Sequence, residues 1–340
     1  MPPSDPLARA TSPCQGEDGL GSAFGKTGAI ARHGGRNGYG RAMPAERILT
    51  GIGLRLLAIF LLSAMTALVK LAVQRGATLP ETMFYRQLAS LPVVLAFVAA
   101  GPGLASLRTR RFGAHLRRAV VGTMGMVFTF GSVLLLPLAE ATVLSFTVPI
   151  FATIMGALFL NERVGVHRWG AVIVGFVGVL IVAQPSGGHF PLVGTVVGPL
   201  AALFVAVVAI LLRQIGQTEP TGTTVFWFAT LSLVPLSIAY AVVARAHDPL
   251  TWALLIGTGV IGGMGQLALT GAVRFAPVSA VVPMDYSGLI WATLLGWTLF
   301  AALPTSTTWL GAPIIIGSGL YIAWRERRRS APVTGGGTPA

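Results

Sequence analysis

The side chains in this chain that are capable of chemistry are few, and most of them stand in apolar surroundings. Asp285 lies in Val282-Pro283-Met284-Asp285-Tyr286-Ser287, about eight residues into a hydrophobic run and so roughly 12 Å from the run's start at 1.5 Å per residue. A charge at the centre of a membrane costs at least about 2.5 kcal/mol and so needs a reason. A carboxylate at Asp285 can bind a cationic solute or carry a proton; the other readings are a structural ion pair or a polar kink after Pro283. Arg86, beside Tyr85 and Gln87, can face a cavity and meet a substrate carboxylate or Asp285, or it can snorkel to the nearer surface. Lys70, closer to the end of its run, snorkels more easily. Ser145, Thr147 and Pro149 fall mid-run, where a proline frees a backbone carbonyl and hydroxyls compensate, giving either a cavity lining or a close packing point. Tyr286, Trp291 and Trp227 are suited to stacking on a planar or cationic ligand, or equally to lipid and interface contact.

Other chemistries lack their residues. The only cysteine is Cys14, and the five histidines, His33, His115, His167, His189 and His247, read as tail or loop residues. Neither a nucleophile with a base nor a metal cluster is expected within the hydrophobic runs, so the reading is of a non-enzyme without cofactor or metal. No complete Gly-x-x-x-x-Gly-Lys-Ser/Thr loop is present to cradle phosphates, since Gly25-Lys26-Thr27 in the tail has Leu20 where the first glycine belongs, and no re-entrant filter segment points to a channel. The net charge of +13 suggests nucleic-acid binding at first sight, but the arginines cluster at run ends and in tails, and nucleic acid is excluded as a partner on that placement.

The elements that must position these residues are membrane helices. Hydrophobic residues make up 54% of the 340 and charged ones 10%, too apolar for a soluble domain. Apolar runs fall at about 48–73, 82–101, 118–138, 141–160, 167–184, 193–214, 222–244, 250–272, 278–302 and 306–324, ten in all, each close to the 20 residues a crossing needs. The tightest separations are at Ala139-Glu140 and Phe275-Ala276-Pro277. Residues 1–46 read as a disordered tail, with Met43 as an alternative start, and 327–340 as a second tail. Twenty of the 24 lysines and arginines, Arg55 and Arg118 among them, fall on the side holding both termini, which the positive-inside rule makes the cytoplasm.

An offset of 140 places Ala152-Thr153, Gly156 and Trp169 on Ala292-Thr293, Gly296 and Trp309; an offset of 143 places Lys70 and Pro92 on Arg213 and Pro235. Two related units, 47–185 and 192–326, each with five helices, must enter the membrane from opposite sides. Inverted repeats let two bundles expose one central site to either face in turn. The expected fold is an all-α integral membrane protein of ten transmembrane helices in two inverted five-helix repeats. The expected partners are a small-molecule substrate, the lipid bilayer, and protons as coupling ion.

The sequence resembles the drug/metabolite transporter superfamily, specifically its EamA-type ten-helix members. The resemblance rests on Ala141 through Phe151, Phe159-Leu160-Asn161-Glu162-Arg163, Trp169-Gly170-Ala171 with Gly175 and Gly178, and, in the second unit, Pro283-Met284-Asp285-Tyr286, Trp291, Gly296-Trp297 and Leu303-Pro304. Phe84-Tyr85-Arg86 and Ser145 through Pro149 are most similar to the S-adenosylmethionine uptake branch. The second unit departs from the pattern at Ala302, where a glutamate usually precedes Leu-Pro. The resemblance implies a secondary transporter in a bacterial inner membrane, taking up S-adenosylmethionine or an amino-acid-like solute, with export of metabolites or drugs as the alternative direction. Asp285, Arg86, Tyr85, Tyr286, Trp227, Trp291, Ser145 and Thr147 are the expected substrate-site residues.

Overall fold

A computed structural model describes residues 45–159, 165–183, 192–276 and 281–330, and all regular structure among them is helical. The helices are α1 (Ala45–Gln74), α2 (Leu79–Leu88), α3 (Ser90–Ala100), α4 (Phe112–Leu135), α5 (Leu138–Ser145), α6 (Val148–Phe159), α7 (Val166–Ala183), α8 (Leu192–Ile215), α9 (Thr221–Val243), α10 (Pro249–Phe275), α11 (Gly288–Phe300) and α12 (Ser306–Ser330). Short 3-10 turns occupy Leu104–Leu107 and Val282–Ser287. The expected tail up to residue 44, Met43, the Glu162-Arg163 helix end and 331–340 lie outside the described residues.

Seven segments of the described residues are long and apolar enough to cross a membrane: Glu46–Gln74, Leu79–Ala100, Phe112–Leu135, Leu138–Met155, Val193–Leu212, Thr221–Val243 and Pro249–Ala272; Val166–Val182 is a shorter apolar helix. Their outward faces carry exposed Ile173, Val196, Val234, Ile238 and Val242, the reverse of a soluble surface, as befits an integral membrane protein. In a medium that offers no hydrogen bonds, helices satisfy the backbone within each segment.

Two of the crossings are broken, and prolines explain both. Pro92 cannot donate to the Leu88 carbonyl, and the chain turns at Ala89 between α2 and α3. Pro149 likewise leaves the Ser145 carbonyl without its helical donor, and the helix breaks at Phe146-Thr147 between α5 and α6. There the Ser145 hydroxyl donates to the Thr142 carbonyl (2.7 Å) and the Thr147 hydroxyl to that of Leu144 (2.7 Å), the compensation expected of residues at such a break.

Some sequence boundaries move. The separation expected at Ala139-Glu140 falls instead at Leu136-Pro137, because Pro137 has no N–H and its extended backbone (φ −59°, ψ 154°) starts α5; Ala139 and Glu140 are helical and buried. α4 begins at Phe112, six residues before the expected run, so His115 and Arg118 are buried helical residues and not part of a loop. His167 is helical as well, in α7.

α1 packs along α10, α4 along α8, α7 along α12 and α2 along α9, with α2 and α3 also against α10, and α11 against α1 and α5. Two glycines set the closest approaches. A Cβ on Gly259 would lie 2.5 Å from both the Ala89 Cβ and the Tyr85 carbonyl oxygen, and one on Gly311 would lie 2.8 Å from the Gly178 carbonyl oxygen. With no hydrophobic drive between helices in lipid, such backbone proximity is what lets them pack. The largest buried apolar cluster, around Val143, Leu144, Phe146, Val179, Val182 and Ile315, gathers α5, α7, α11 and α12.

Candidate functional site

Ionisable side chains inside the bundle form two groups of opposite character. In the first, Asp285, on the 3-10 turn that leads into α11, receives both Arg55 Nε on Oδ1 and Arg55 Nη2 on Oδ2 at 2.5 Å each. This is the two-pronged geometry that a guanidinium and a carboxylate make best. Side-chain exposures of 14% for Arg55 and 31% for Asp285 make it a partly sheltered pair. Counted from the sequence with the cytoplasmic basic cluster, Arg55 in fact sits within α1, ten residues beyond its start, and supplies the partner that had been sought in Arg86. Beside it, the Tyr286 hydroxyl and the Ser287 Oγ are buried without a hydrogen-bond partner among the described residues, and the Tyr286 ring meets Phe146 edge to face at 5.0 Å. Buried polar groups left unmade are uncommon, and their concentration next to an ion pair marks a polar spot in the apolar core.

The second group has cations and, among the described residues, no anion. Arg86 (7% exposed, on α2) and Arg118 (4%, on α4) approach one aromatic ring, that of Phe228 on α9, with guanidinium carbons 5.7 and 4.1 Å from its centroid. Arg86 Nη1 donates to Gln87 Oε1 at 2.6 Å, while Arg86 Nε, Arg118 Nε and Nη1 and Gln87 Nε2 have no partner among the described residues. Gly262, Gly263 and Gln266 of α10 close the cleft with Ser90, Val225 and Ala229, leaving no space for even a water-sized guest. Gly122, one turn beyond Arg118, keeps room for the pair: its Cβ would strike Arg118 Nη1 and lie 2.8 Å from Phe228 Cε2.

The other expected residues are placed as follows. Tyr85 gives its hydroxyl to an aromatic cluster, 2.9 Å from that of Tyr240 and with Trp252 edge-on at 5.2 Å. Trp227 donates from Nε1 to the Leu107 carbonyl at 2.9 Å in the α3–α4 connection, beside Phe112 and His115. Trp291 packs edge-on against Phe60 at 4.8 Å. Lys70 donates to the Leu136 carbonyl at 2.5 Å and lies 5.6 Å from the Phe300 ring centroid. Only Asp285 and Tyr286 share a neighbourhood with Ser145 and Thr147, through the Phe146 between them.

Sequence reasoning missed three residues. Arg55 and Arg118 were hidden among the basic residues counted to the cytoplasmic tail and an inner segment. Glu140 was hidden in a presumed turn; it is 1% exposed, and its Oε1 accepts from the Thr305 N–H and the Thr308 hydroxyl, each at 3.0 Å, while Oε2 is unpartnered. The available signal was position: each lies a few residues inside a helix once Ala45, Phe112 and Leu138 are taken as the starts. Asp248, at the start of α10, is a surface counterpart: the Thr251 hydroxyl (2.5 Å) and Arg75 (3.1 Å) hold its carboxyl down at about 2. Among the described residues no cluster of three or more His, Cys, Asp or Glu is placed to hold a metal.

The profile of the EamA-like transporter family matches the chain twice, over residues 49–184 and 192–324. A riboflavin transporter of Vibrio cholerae is 30% identical over 263 residues, 76% of this chain and 87% of that protein. A pseudopaline exporter of Pseudomonas aeruginosa is 32% identical over 281 residues, 81% of this chain and 96% of that one. An S-adenosylmethionine uptake transporter of Rickettsia felis is 30% identical over 285 residues, 82% and 94%. A solved crystal structure shares the fold with a TM-score of 0.57 at 19% identity, over 83% of this chain and 99% of that one.

Proposed function

Because the chain belongs to the EamA-like transporter family, we propose that it is a secondary transporter that moves a small organic metabolite by alternating access between two inverted five-helix repeats. In this reading α1, α2 with α3, α4, α5 with α6, and α7 form one unit. α8, α9, α10, the 3-10 turn with α11, and α12 form the other. Ten crossings put both termini in the cytoplasm of a bacterial inner membrane.

The observation that carries the reading is reciprocal packing. Exchanging the units turns the α1–α10 contact into the α8–α4 contact, and both pairs are present; α2–α9 and α7–α12 map onto themselves. At the offset of 140 found in the sequence, Phe146 corresponds to Tyr286, and these two rings touch. A pseudo-two-fold axis between the units accounts for all of these contacts, and such an axis is the basis on which one site can face either side.

The solute is of the amino-acid or S-adenosylmethionine kind, with a cationic and an anionic group. Asp285 serves the cation or a coupling proton, and Arg86 the anion. Tyr286 and Trp291, with Ser145 and Thr147 near the α5–α6 break, line the path, while Tyr85 and Trp227 shape it from the aromatic clusters they anchor. The bound Arg55 makes Asp285 a competed site: a substrate cation or a proton must displace the guanidinium. Relatives are named for uptake and for export, and the imposed gradient sets direction. The test is flux into proteoliposomes of a panel including S-adenosylmethionine, riboflavin and amino acids, with and without a proton gradient. Saturable accumulation of one class, reduced in Asp285→Asn, is expected. Folded, reconstituted protein that carries none of the panel in either direction would contradict the reading.

A further inference from the structure

Among the described residues, the uncompensated charge in this bundle is that of Arg86 and Arg118. Every acid whose side chain is described is engaged elsewhere or remote. Glu81 accepts from Thr78, from the Arg245 N–H and from the His247 ring. Glu140 takes Thr305 and Thr308, Glu219 takes Thr109 and faces His115, Asp248 takes Arg75, and Asp285 takes Arg55. Glu46 is exposed in the first turn of α1. Two guanidiniums therefore converge on the Phe228 ring, 7% and 4% exposed, with three of their nitrogens unpartnered among the described residues and no carboxylate to offset them.

A ring face attracts a cation, but one ring supplies on the order of 2 kcal/mol, against a desolvation cost of several kcal/mol for each ion. Two like charges on one ring raise that cost further. A fold that retains such an arrangement has donors fixed for a guest that completes it. Two planar, forked donors beside one aromatic ring match a small oxyanion, above all a carboxylate, which takes two N–H donors from one guanidinium and a further one from its neighbour. Gln87 Nε2, also unpartnered, adds a neutral donor.

The geometry points to Arg86, Arg118 and Gln87 as a carboxylate-binding subsite, so that the transported solute is an organic carboxylate gripped jointly from α2 and α4 beside Phe228. This rests on the transport reading for the word "transported" and on the bundle alone for the word "binding". The cleft is closed as it stands. Its walls come from both units, α2 and α3 on one side and α9 and α10 on the other, with Arg118 of α4 reaching the Phe228 ring beside it, so admitting the anion requires the movement between units that transport requires. Arg118 is then a residue that touches substrate, and Gly122 the small residue that leaves it room.

The test uses a matched pair of probes, phenylacetate and its neutral isostere phenylacetamide, on the purified full-length chain in neutral-lipid nanodiscs, read as the shift in thermal unfolding midpoint with probe concentration. Phenylacetate is expected to raise the midpoint saturably and phenylacetamide to leave it unchanged. Arg118→Met, folded by its own unfolding transition, is expected to bind phenylacetate about tenfold or more weakly, the loss of a charged hydrogen bond, with Arg118→Lys recovering part of the response. Equal shifts with both probes, an undiminished response in Arg118→Met, or no shift with either probe in folded protein overturns the subsite. So does loss of the phenylacetate response in nanodiscs containing phosphatidylglycerol, which would assign the arginines to a lipid headgroup. Because the readout is binding, absence of flux with binding intact removes the transport reading alone, and flux with no carboxylate preference removes the subsite alone.

Discussion

The Arg55–Asp285 pair and the Arg86–Arg118 pair are both charged, both within the bundle, and opposite in what they lack. The first is complete: a carboxylate takes two hydrogen bonds from one guanidinium. The second repeats one charge around a ring and leaves its nitrogens open. A compensated pair holds α1 to the turn before α11 and must be opened for any ligand to reach the acid. An uncompensated pair is strained in the empty state and relaxed only by a guest. The contrast teaches that the same operation, removing one charge, should have opposite signs at the two places.

The largest effect is expected at the compensated pair. Asp285→Asn leaves Arg55 partly buried and without its anion, and should lower stability by about 2–3 kcal/mol in unfolding experiments in mixed micelles. The double change Arg55→Met/Asp285→Leu should return most of that loss; an additive double loss would mean the two residues do not depend on each other. Next, Arg118→Met should raise stability by about 1 kcal/mol, the relief of a buried charge set against the lost ring contact, while weakening carboxylate binding about tenfold or more. A destabilised Arg118→Met would erase the contrast. Smaller again, Gly122→Ala presses a methyl against the Arg118 guanidinium and Phe228 and should cost about 1 kcal/mol, weakening carboxylate binding without touching the Asp285 region.

The smallest effect is expected at the surface pair of Asp248 and Arg75. Its carboxyl, held at about 2 against 3.8 in a free chain, contributes stability that is fully present above the unfolded value and is lost only as pH falls through the folded one. Unfolding midpoints of wild type and Asp248→Asn should therefore keep a constant difference between about pH 8 and pH 5 and converge only near about pH 2. Convergence in the neutral range would show that the carboxyl is not held down as described.

Composition and hydropathy made the membrane class legible, because lipid demands long apolar helices and little else supplies them. One of the two proline breaks could be read too: Pro149 with Ser145 and Thr147 announced the α5–α6 interruption, whereas Pro92 was read only as a match to Pro235. The charged sites were only half legible. Asp285 and Arg86 stood out because each is isolated in an apolar run, whereas Arg55 and Arg118 lie near basic clusters, and a sequence read in linear order counts such residues to the cytoplasmic segments. Their burial depends on which helix packs on which, α1 against the turn before α11 and α4 against α9. That information is carried by tertiary contacts and not by local spacing. Glu140 escaped for a related reason, since Pro137 moved the helix start three residues ahead of the expected turn.

The central claim is that the closed cleft between the two units opens to each face of the membrane in turn. Its most direct test is accessibility of Ser90→Cys, whose side chain lines the cleft, in a chain made free of its native thiol by Cys14→Ser. Oriented vesicles of both senses would be treated with a membrane-impermeant thiosulfonate, in the presence and absence of phenylacetate. Modification from both faces, with phenylacetate slowing it from each, is the predicted result. Modification from one face only under every condition, in protein that labels fully once unfolded, would contradict alternating access at this site.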